Sequence, residues 1–324
     1  VDGGGVRGLS SLLILKQLMK RVNPKDPPKP CDYFDLIGGT STGGLIAIML
    51  GRLGMSVDDC ITRYCELSER VFQRKRHAVN WLGKAIDTWK TDGKYRAESL
   101  AAEIKRVTEE VEKDKGAFLF RPDADRSCKV FVCALVKNGS TPALFRSYSN
   151  RMAVDSFGTS EAAIWEAARA TSAATTFFDP MPFGRQEFVD GATGYNNPVE
   201  VVLEEARELW PDWESRIQCL VSIGTGVIEP RDFGNNLLNV GKTLASLATE
   251  TEKTEDRFNK NCVRNGVGNA YFRFNVEKGL DGVGLDEHTK VGKIETAISA
   301  FLTGSRIRES VGKFVSARAP QGSE

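Results

Sequence analysis

The chain has 324 residues, of which 41% are hydrophobic, and its formal net charge is +1. This length and apolar content are enough for one large or two moderate domains with a full core. The near-neutral charge argues against a nucleic-acid-binding protein, which would normally carry a strong basic excess.

The chain opens with the glycine loop Asp-Gly-Gly-Gly-Val-Arg-Gly at residues 2–8, and a helical apolar pattern follows over residues 9–22. A glycine loop that leads into a helix presents successive backbone N–H groups, which suits an oxyanion or a phosphate. The glycine spacing also matches a dinucleotide fingerprint, but the acidic residue required about 20 positions later would be Asp26, which lies in a proline-rich loop. We expect a strand to precede Val1 in the natural protein.

The most informative stretch is Gly-Gly-Thr-Ser-Thr-Gly-Gly at residues 38–44. It follows an aromatic and β-branched run over residues 33–37, which is predicted to be a strand, and it precedes an apolar segment that is predicted to be a helix. A serine in a glycine turn between strand and helix, here Gly39-x-Ser41-x-Gly43, is typical of a nucleophile elbow. The alternative is an ordinary strand–helix loop whose small residues permit close packing.

Residues 70–96 combine eight basic side chains with several aromatic ones. Basic residues interleaved with tryptophans suit an anionic membrane surface, where the rings lie at the headgroup level. A solvated face whose aromatic rings cover the core is the alternative, and a lid over the active site is a third interpretation.

The rest of the chain alternates between helical and strand patterns. Helices are predicted over residues 57–70, 99–113, 160–172, 199–209, 237–258 and 290–314, and strands over 129–137, 144–148, 187–192, 217–223 and 271–276. The run 129–137 is almost continuously apolar, as expected of a strand that is buried on both faces. The alternation predicts one α/β domain over residues 1–324, with a mainly parallel sheet covered by helices on both faces.

The pattern of cysteines and of apolar residues indicates where in the cell the protein is located. The seven cysteines are scattered and contain no Cys-x-x-Cys pair, which indicates reduced thiols rather than a disulfide framework or a zinc site. No apolar run approaches the ~18–20 residues of a membrane span. We therefore expect a cytoplasmic protein.

Histidine is scarce, since only His77 and His288 are available to complete a Ser-His-Asp triad. Neither lies at a strand end or in a glycine turn, so we expect both on the surface. Asp190, in contrast, ends a predicted strand at a glycine turn. The sequence thus favours an aspartate over a histidine as the base.

Three glycine-marked strand ends are expected to converge, because ligands of open α/β sheets gather at the carboxyl ends of the strands. Ser41 would supply a hydroxyl nucleophile, and Asp190 would accept its proton. Gly3, Gly4 and Gly5 would donate N–H groups to a tetrahedral oxyanion. Losing one such donor typically raises the barrier by ~2.7–4 kcal/mol, so this loop is an important part of the hypothesis.

In this order, the motifs Asp-Gly-Gly-Gly-x-Arg-Gly, Gly-x-Ser-x-Gly and Asp-Gly-Ala resemble those of the patatin-like phospholipase family. The similarity extends to Ala-Arg-Ala-Thr-Ser-Ala-Ala at residues 168–174 and Asn-Asn-Pro at 196–198, so it covers nearly the whole chain. The run 34–44 is particularly similar to fungal patatin domains, some of which precede nucleotide-binding and repeat domains in NOD-like receptors.

The resemblance implies a three-layer α/β/α fold and a calcium-independent lipid acyl hydrolase of the phospholipase A type. Such an enzyme cleaves acyl esters through a dyad, here Ser41 and Asp190, and an acyl-enzyme intermediate, without histidine, metal or cofactor. By the same resemblance, Gly3, Gly4 and Gly5 form the oxyanion hole. The implied substrate is a phospholipid or another acyl lipid.

Several positions carry specific expectations. Arg7 would support the anionic substrate, or would tie the glycine loop to neighbouring carbonyl groups. Ala192 stands where many relatives have glycine, and Thr175 where proline is expected. Asp190 could alternatively stabilise its own turn. Since an aspartate with a pKa of ~3.9 is a poor base near pH 7, we predict that Asp190 is buried within hydrogen-bond reach of Ser41.

Other functions remain as alternatives. A lipid transacylase would differ only in the acyl acceptor, whereas a catalytically weak signalling or scaffold module of a fungal immune-type receptor would not need the intact Ser41 and Asp190. A nucleotide-binding protein is disfavoured by the missing ribose acid. The partners expected besides lipid are an anionic membrane surface, bound peripherally, and further copies of the chain, assembled through flanking domains.

Overall fold

The computed structural model describes residues 1–72, 88–121, 128–175, 177–227, 238–264, 266–285 and 287–317, and only the backbone at residues 72, 88–96 and 238–248. Its helices are α1 (Gly8–Val22), α2 (Pro30–Tyr33), α3 (Thr42–Ala47), α4 (Val57–Phe72), α5 (Thr88–Glu112), α6 (Ile164–Thr171), α7 (Ala192–Tyr195), α8 (Val199–Leu209), α9 (Trp213–Arg216), α10 (Leu238–Asn261), α11 (Val291–Thr303) and α12 (Ser305–Ala317). Its strands are β1 (Leu36–Thr40), β2 (Lys129–Val136), β3 (Pro142–Arg146), β4 (Met181–Phe183), β5 (Gln186–Asp190), β6 (Leu220–Ile223) and β7 (Tyr271–Phe274).

The strands form a central layer, and the described strand pairs include both parallel and antiparallel ones. β1 pairs with β2 and β6 with β7 in parallel, whereas β3 and β5 pair with β2, and β4 with β5, in antiparallel fashion. The first residues of the chain connect the two groups of strands, because the Val1 carbonyl accepts from Thr40 N–H and Asp2 N–H donates to the Ile223 carbonyl. The glycine loop therefore starts within the sheet, beside the end of β1.

The two faces of β2 pack against different helices, as the alternation of side chains along a strand requires. Val132 and Ala134 belong to the large apolar cluster that also contains buried residues of α1, α4, α5 and α6. Phe131 and Cys133 pack instead with Val201 of α8. Helices thus cover both faces of the sheet, and the predicted three-layer α/β/α fold is confirmed.

The register of β2 brings the ends of β1 and β5 together. Thr40, the last residue of β1, pairs with Cys133, and Asp190, the last residue of β5, pairs with Ala134. Two strands that are distant in sequence therefore end at consecutive residues of β2. Ser41 directly follows Thr40, so the nucleophile and the carboxylate proposed from the sequence lie at adjoining strand ends.

The strand before the serine turn is displaced from its predicted position. Residues 30–33 form the short helix α2, with Pro30 in its first turn, and β1 runs from Leu36 through the glycines to Thr40. Glycine is required inside this strand, because a Cβ at Gly38 would lie 2.4 Å from Cζ of Phe131. The aromatic run that suggested a strand instead supplies Tyr33 to the core.

The basic and aromatic stretch 70–96 is only partly within the described residues. Residues 73–87, which include His77, lie outside them, and α5 begins at Thr88 rather than at the predicted residue 99. The membrane-facing and lid interpretations of this stretch thus stay predictions. No helix in the described part of the chain has both the length and the apolar character needed to cross a bilayer.

Candidate active site

Ser41 occupies a strained turn between β1 and α3. Its φ of 55° and ψ of −128° lie in a region that residues other than glycine rarely adopt. The flanking glycines allow this turn, because a Cβ at Gly39 would lie 2.1 Å from the carbonyl oxygen of Gly43, and a Cβ at Gly43 would lie 2.2 Å from that of Val1. The local geometry is that of a nucleophile elbow.

A buried threonine holds the elbow in place. The Ser41 N–H donates to Oγ1 of Thr171 at 2.9 Å, and this hydroxyl donates to the Cys133 carbonyl at 2.6 Å. Thr171 ends α6 and is fully buried. The strained residue is therefore tied through one hydroxyl to the neighbouring strand β2.

Asp190 lies next to this serine at the end of β5 and is only 6% exposed. Its Oδ1 accepts from the Ala192 N–H at 2.9 Å, and both it and Ser41 border one cleft. Burial raises the pKa of the Asp190 carboxyl from 3.8 to about 7, although the Ser41 hydroxyl and the Ala192 N–H lower this pKa as hydrogen-bonding groups. Ala192 begins the short helix α7, and the required backbone conformation admits its side chain.

Of the three loop N–H groups that were predicted to be oxyanion donors, two already form hydrogen bonds within the protein. Gly3 N–H donates to the Asn196 carbonyl at 3.1 Å, and Gly4 N–H donates to Oγ1 of Thr42, also at 3.1 Å. Among the described residues, none accepts a hydrogen bond from the Gly5 N–H. Gly5 has φ of 57° and borders the same cleft as Ser41. Of the predicted donors, Gly5 is thus the one with an available N–H, and Gly3 is engaged by the protein itself.

Arg7 lies beneath the loop, buried, and is not among the described residues that line the cleft. Its Nε donates to the Val283 carbonyl at 2.7 Å, and its Nη1 lies 3.4 Å from the Val227 carbonyl. These contacts correspond to the second role considered for Arg7, in which the guanidinium ties the loop to neighbouring carbonyl groups.

A buried ion pair anchors the start of the loop. Asp2 Oδ2 accepts from Nη2 of Arg273 at 2.7 Å, and Nε of the same arginine donates to Glu255 at 2.8 Å. The loop is further held at its first glycine, where Thr225 Oγ1 donates to the Gly3 carbonyl at 3.0 Å. These contacts fix the loop relative to β6 and β7.

Ser41, Asp190 and the glycine loop border one cleft. Apolar side chains line part of it and come from α3, α4, α5 and the segment after α6: Leu45, Leu67, Val71, Leu100, Phe177 and Phe178. Polar side chains line another part: Thr193, Asn196, Thr225, Thr251, Glu252 and Asn275. Thr175 also borders the cleft. The cleft can therefore accept a molecule that has both a long apolar and a polar portion.

No histidine lies among the described residues that line this cleft. His288 borders a second cavity, together with Tyr64 and other residues of α1 and α4. Within the described ranges there is also no group of three or more His, Cys, Asp or Glu side chains that could hold a metal ion.

The sequence did not point to Thr42, Tyr64, Thr171 or Arg273 as parts of this site. Thr171 lies in the run 168–174, which carried part of the family resemblance, so a signal for it existed. Tyr64 belongs to the apolar pattern of α4 and has no local signal. Arg273 reaches Asp2 across 271 positions of sequence, a separation that no pattern reveals.

The fold and the serine turn together define an α/β protein with a nucleophile elbow. A family model described as patatin-like phospholipase matches residues 1–203, and the chain belongs to that family.

Curated relatives agree with this assignment. The chain is 30% identical to phospholipase A I of Arabidopsis thaliana over 351 aligned residues, which cover 93% of the chain and 26% of the relative. It is 31% identical to calcium-independent phospholipase A2-gamma of Rattus norvegicus, with 85% of the chain and 34% of the relative covered. The human protein of the same name is 30% identical, with 89% and 35% covered. The chain thus spans about a quarter to a third of the length of these relatives.

Proposed function

We propose that the chain is a calcium-independent lipid acyl hydrolase of the phospholipase A type, with Ser41 as nucleophile and Asp190 as general base. The observation that carries the proposal is that the strained Ser41 and the buried Asp190 lie at adjoining strand ends and border the same largely apolar cleft. The relatives' names, phospholipase A and calcium-independent phospholipase A2, support the reaction class.

In the first step, Asp190 takes the proton of the Ser41 hydroxyl as Oγ forms a bond to the acyl carbonyl carbon. The carbonyl electron pair moves to its oxygen, which becomes an oxyanion. The Gly5 N–H donates to this oxygen. One such donor typically contributes ~2.7–4 kcal/mol to transition-state stabilisation.

The tetrahedral intermediate then breaks its bond to the alcohol oxygen, and Asp190 returns the proton to that oxygen. The lysolipid or other alcohol leaves, and the acyl group stays on Ser41 as an ester. A water molecule attacks this ester with Asp190 again as base, which releases the fatty acid and restores the serine. A transacylase would use another alcohol in place of water, through the same residues.

The raised pKa explains how an aspartate can act as base without histidine. A general base is most effective when its pKa is near the working pH. With a pKa of about 7, Asp190 is ionised above neutrality and can still hold the serine proton during the reaction. An exposed aspartate, ionised far below that pH, would have little affinity for the proton.

The cleft matches a lipid in polarity. The apolar side chains from α4 and from the segment after α6 would contact the acyl chain, and the polar ones from α7 and α10 would face the glycerol and headgroup portion. Burying each methylene of the acyl chain contributes about 0.8 kcal/mol. The proposal therefore places the scissile ester between the two groups of side chains, next to Ser41.

Sequence-based interpretations extend the proposal beyond the site. They comprise a cytoplasmic location, peripheral binding to anionic membranes through residues 70–96, oligomerisation through flanking domains, and kinship with fungal receptor-associated patatin domains. A scaffold module without turnover is the second candidate, and the intact Ser41 and Asp190 weigh against it.

Hydrolysis of phospholipid in mixed micelles, with a chelator present, tests the proposal. Wild-type protein should release fatty acid at the same rate with and without chelator, whereas Ser41→Ala and Asp190→Asn should lower kcat at least 1000-fold. Asp155→Asn is the matched control, because that carboxylate caps a loop at Thr159 and Ser160 and is not among the cleft-lining residues. Turnover that survives Ser41→Ala contradicts the nucleophile assignment, and inert wild type favours the scaffold.

A further inference from the structure

Two hydroxyl groups, of Tyr64 in α4 and Thr42 in α3, hold the glycine loop at neighbouring peptide groups. The Tyr64 side chain is 1% exposed and its hydroxyl donates to the Gly5 carbonyl. Thr42, the first residue of α3, accepts from the Gly4 N–H at 3.1 Å. The Gly4 N–H and the Gly5 carbonyl are therefore each bound to a side-chain hydroxyl.

These contacts fix both peptide groups that flank Gly5. The carbonyl of Gly4 accepts from the Arg7 N–H at 3.1 Å, and because the peptide is trans, the Gly5 N–H points the opposite way. The next peptide is held at its carbonyl by Tyr64 and at its N–H by the Leu285 carbonyl, 2.8 Å away. Gly5 is free of side-chain restraint and has positive φ, so its conformation depends on such external contacts.

The last glycine of the opening loop, Gly8, makes room for the phenol. A Cβ at Gly8 would lie 2.3 Å from the hydroxyl oxygen of Tyr64. The spacing Gly3-x-Gly5-x-x-Gly8, which matched a dinucleotide fingerprint in the sequence, thus has a different physical origin here. Its last glycine admits a tyrosine hydroxyl to the turn that carries the Gly5 N–H.

We propose that Tyr64 is a positioning residue for the oxyanion hole: together with Thr42, it holds Gly4 and Gly5 in the orientation that stabilises the oxyanion. The inference rests on the proposed hydrolase function. Tyr64 does not touch the reacting atoms in this scheme. It acts by keeping the loop at a fixed distance from the helix that begins directly after Ser41.

Tyr64→Phe removes the hydroxyl and keeps the ring that lines the cleft. We expect kcat to fall about 10- to 100-fold, less than the loss of a whole donor, and KM to stay within twofold. Tyr148→Phe is the matched control, since it removes another buried tyrosine hydroxyl, which donates to Glu205, and Tyr148 is not among the cleft-lining residues. Its kcat should stay within twofold of wild type.

Two further measurements separate positioning from a merely structural role. A trifluoromethyl ketone lipid analogue forms a tetrahedral oxyanion with a serine, so Tyr64→Phe should weaken its inhibition by the same factor as kcat. Thr42→Val should lower kcat similarly, Thr42→Ser should recover most of that loss, and the double variant Tyr64→Phe/Thr42→Val should lose little more than one single variant. An unchanged kcat, or a higher KM alone, in Tyr64→Phe overturns the inference.

Hydrogen–deuterium exchange tests the positioning without any substrate. Amides of residues 4–6 should exchange faster in Tyr64→Phe than in wild type or in Tyr148→Phe. Equal exchange in all three proteins overturns the inference, even if the wild type has no measurable turnover. If the wild type is active, Ser41→Ala is inactive and Tyr64→Phe is unaffected, the proposed function stands and only the role of Tyr64 is overturned.

Discussion

The buried carboxylate of Asp190 should make the protein less stable at the pH where it works. Its pKa is about 7 in the folded chain and 3.8 in the reference state. Below pH 3.8 the carboxyl is protonated in both the folded and the unfolded state, so its ionisation does not lower the free energy of unfolding. Between pH 3.8 and 7 the folded state holds a proton that the unfolded state has lost, so stability falls as pH rises. Above pH 7 the cost is constant.

The size of this cost follows from the two pKa values. Each factor of ten in proton affinity is worth about 1.36 kcal/mol, so ionised Asp190 lowers the free energy of unfolding by about 4 kcal/mol above pH 7. Asp190→Asn cannot ionise, and its Oδ1 can still accept from the Ala192 N–H. Its stability relative to wild type should therefore rise by about 2.5 kcal/mol between pH 5 and pH 8. This rise does not depend on how well the amide packs.

Urea unfolding of both proteins at pH 5, 6, 7 and 8 measures the difference directly. Asp155→Asn is the control of opposite sign, because hydrogen bonds from Ser160 and Thr159 lower the pKa of Asp155 despite its partial burial. Neutralising Asp155 should cost stability at pH 8 rather than add it. A constant difference between Asp190→Asn and wild type from pH 5 to 8 would refute the burial reasoning for the base.

Three further predictions concern the site and its supports. Wild-type kcat/KM should rise with pH and level off above about 7, because Asp190 must be ionised to act as base; a flat profile from pH 5 to 8 would count against it. Gly39→Ala should abolish activity and destabilise the fold, because its Cβ would lie 2.1 Å from a backbone oxygen. Gly312→Ala in α12 is the control: its Cβ would have open space, so the free energy of unfolding, measured by thermal unfolding, should rise by up to ~1 kcal/mol. Arg273→Met should cost about 3–5 kcal/mol in urea unfolding by leaving Asp2 buried without its partner, and a loss under 1 kcal/mol would show that the pair is not needed.

The sequence predicted the parts of the site that depend on local chemistry. Ser41 stands in a glycine turn, and Asp190 ends a strand at another such turn, so local sequence patterns were enough to propose both residues. The same local view misplaced the strand before the elbow. It assigned residues 33–37 by their side chains, whereas β1 includes glycines that are suited to close approach rather than to sheet formation.

Contacts between segments that are distant in the sequence could not be predicted from local patterns. The Gly3 N–H was predicted to be an oxyanion donor, but it donates to the carbonyl of Asn196, 193 positions away. Tyr64 looks like any apolar residue of an amphipathic helix until α4 is packed against the glycine loop. Such pairings depend on topology, which sets them only when the whole sheet is assembled.

The pairing of β1 and β5 with consecutive residues of β2 has a consequence for redesign. Cross-strand partners share a face of the sheet, so a slip of β5 by one residue would carry Asp190 to the side of α8, away from Ser41. The hydrogen-bond register on β2 thus sets the spacing between Ser41 and Asp190. A single insertion within β2 between Cys133 and Ala134 would therefore separate the dyad.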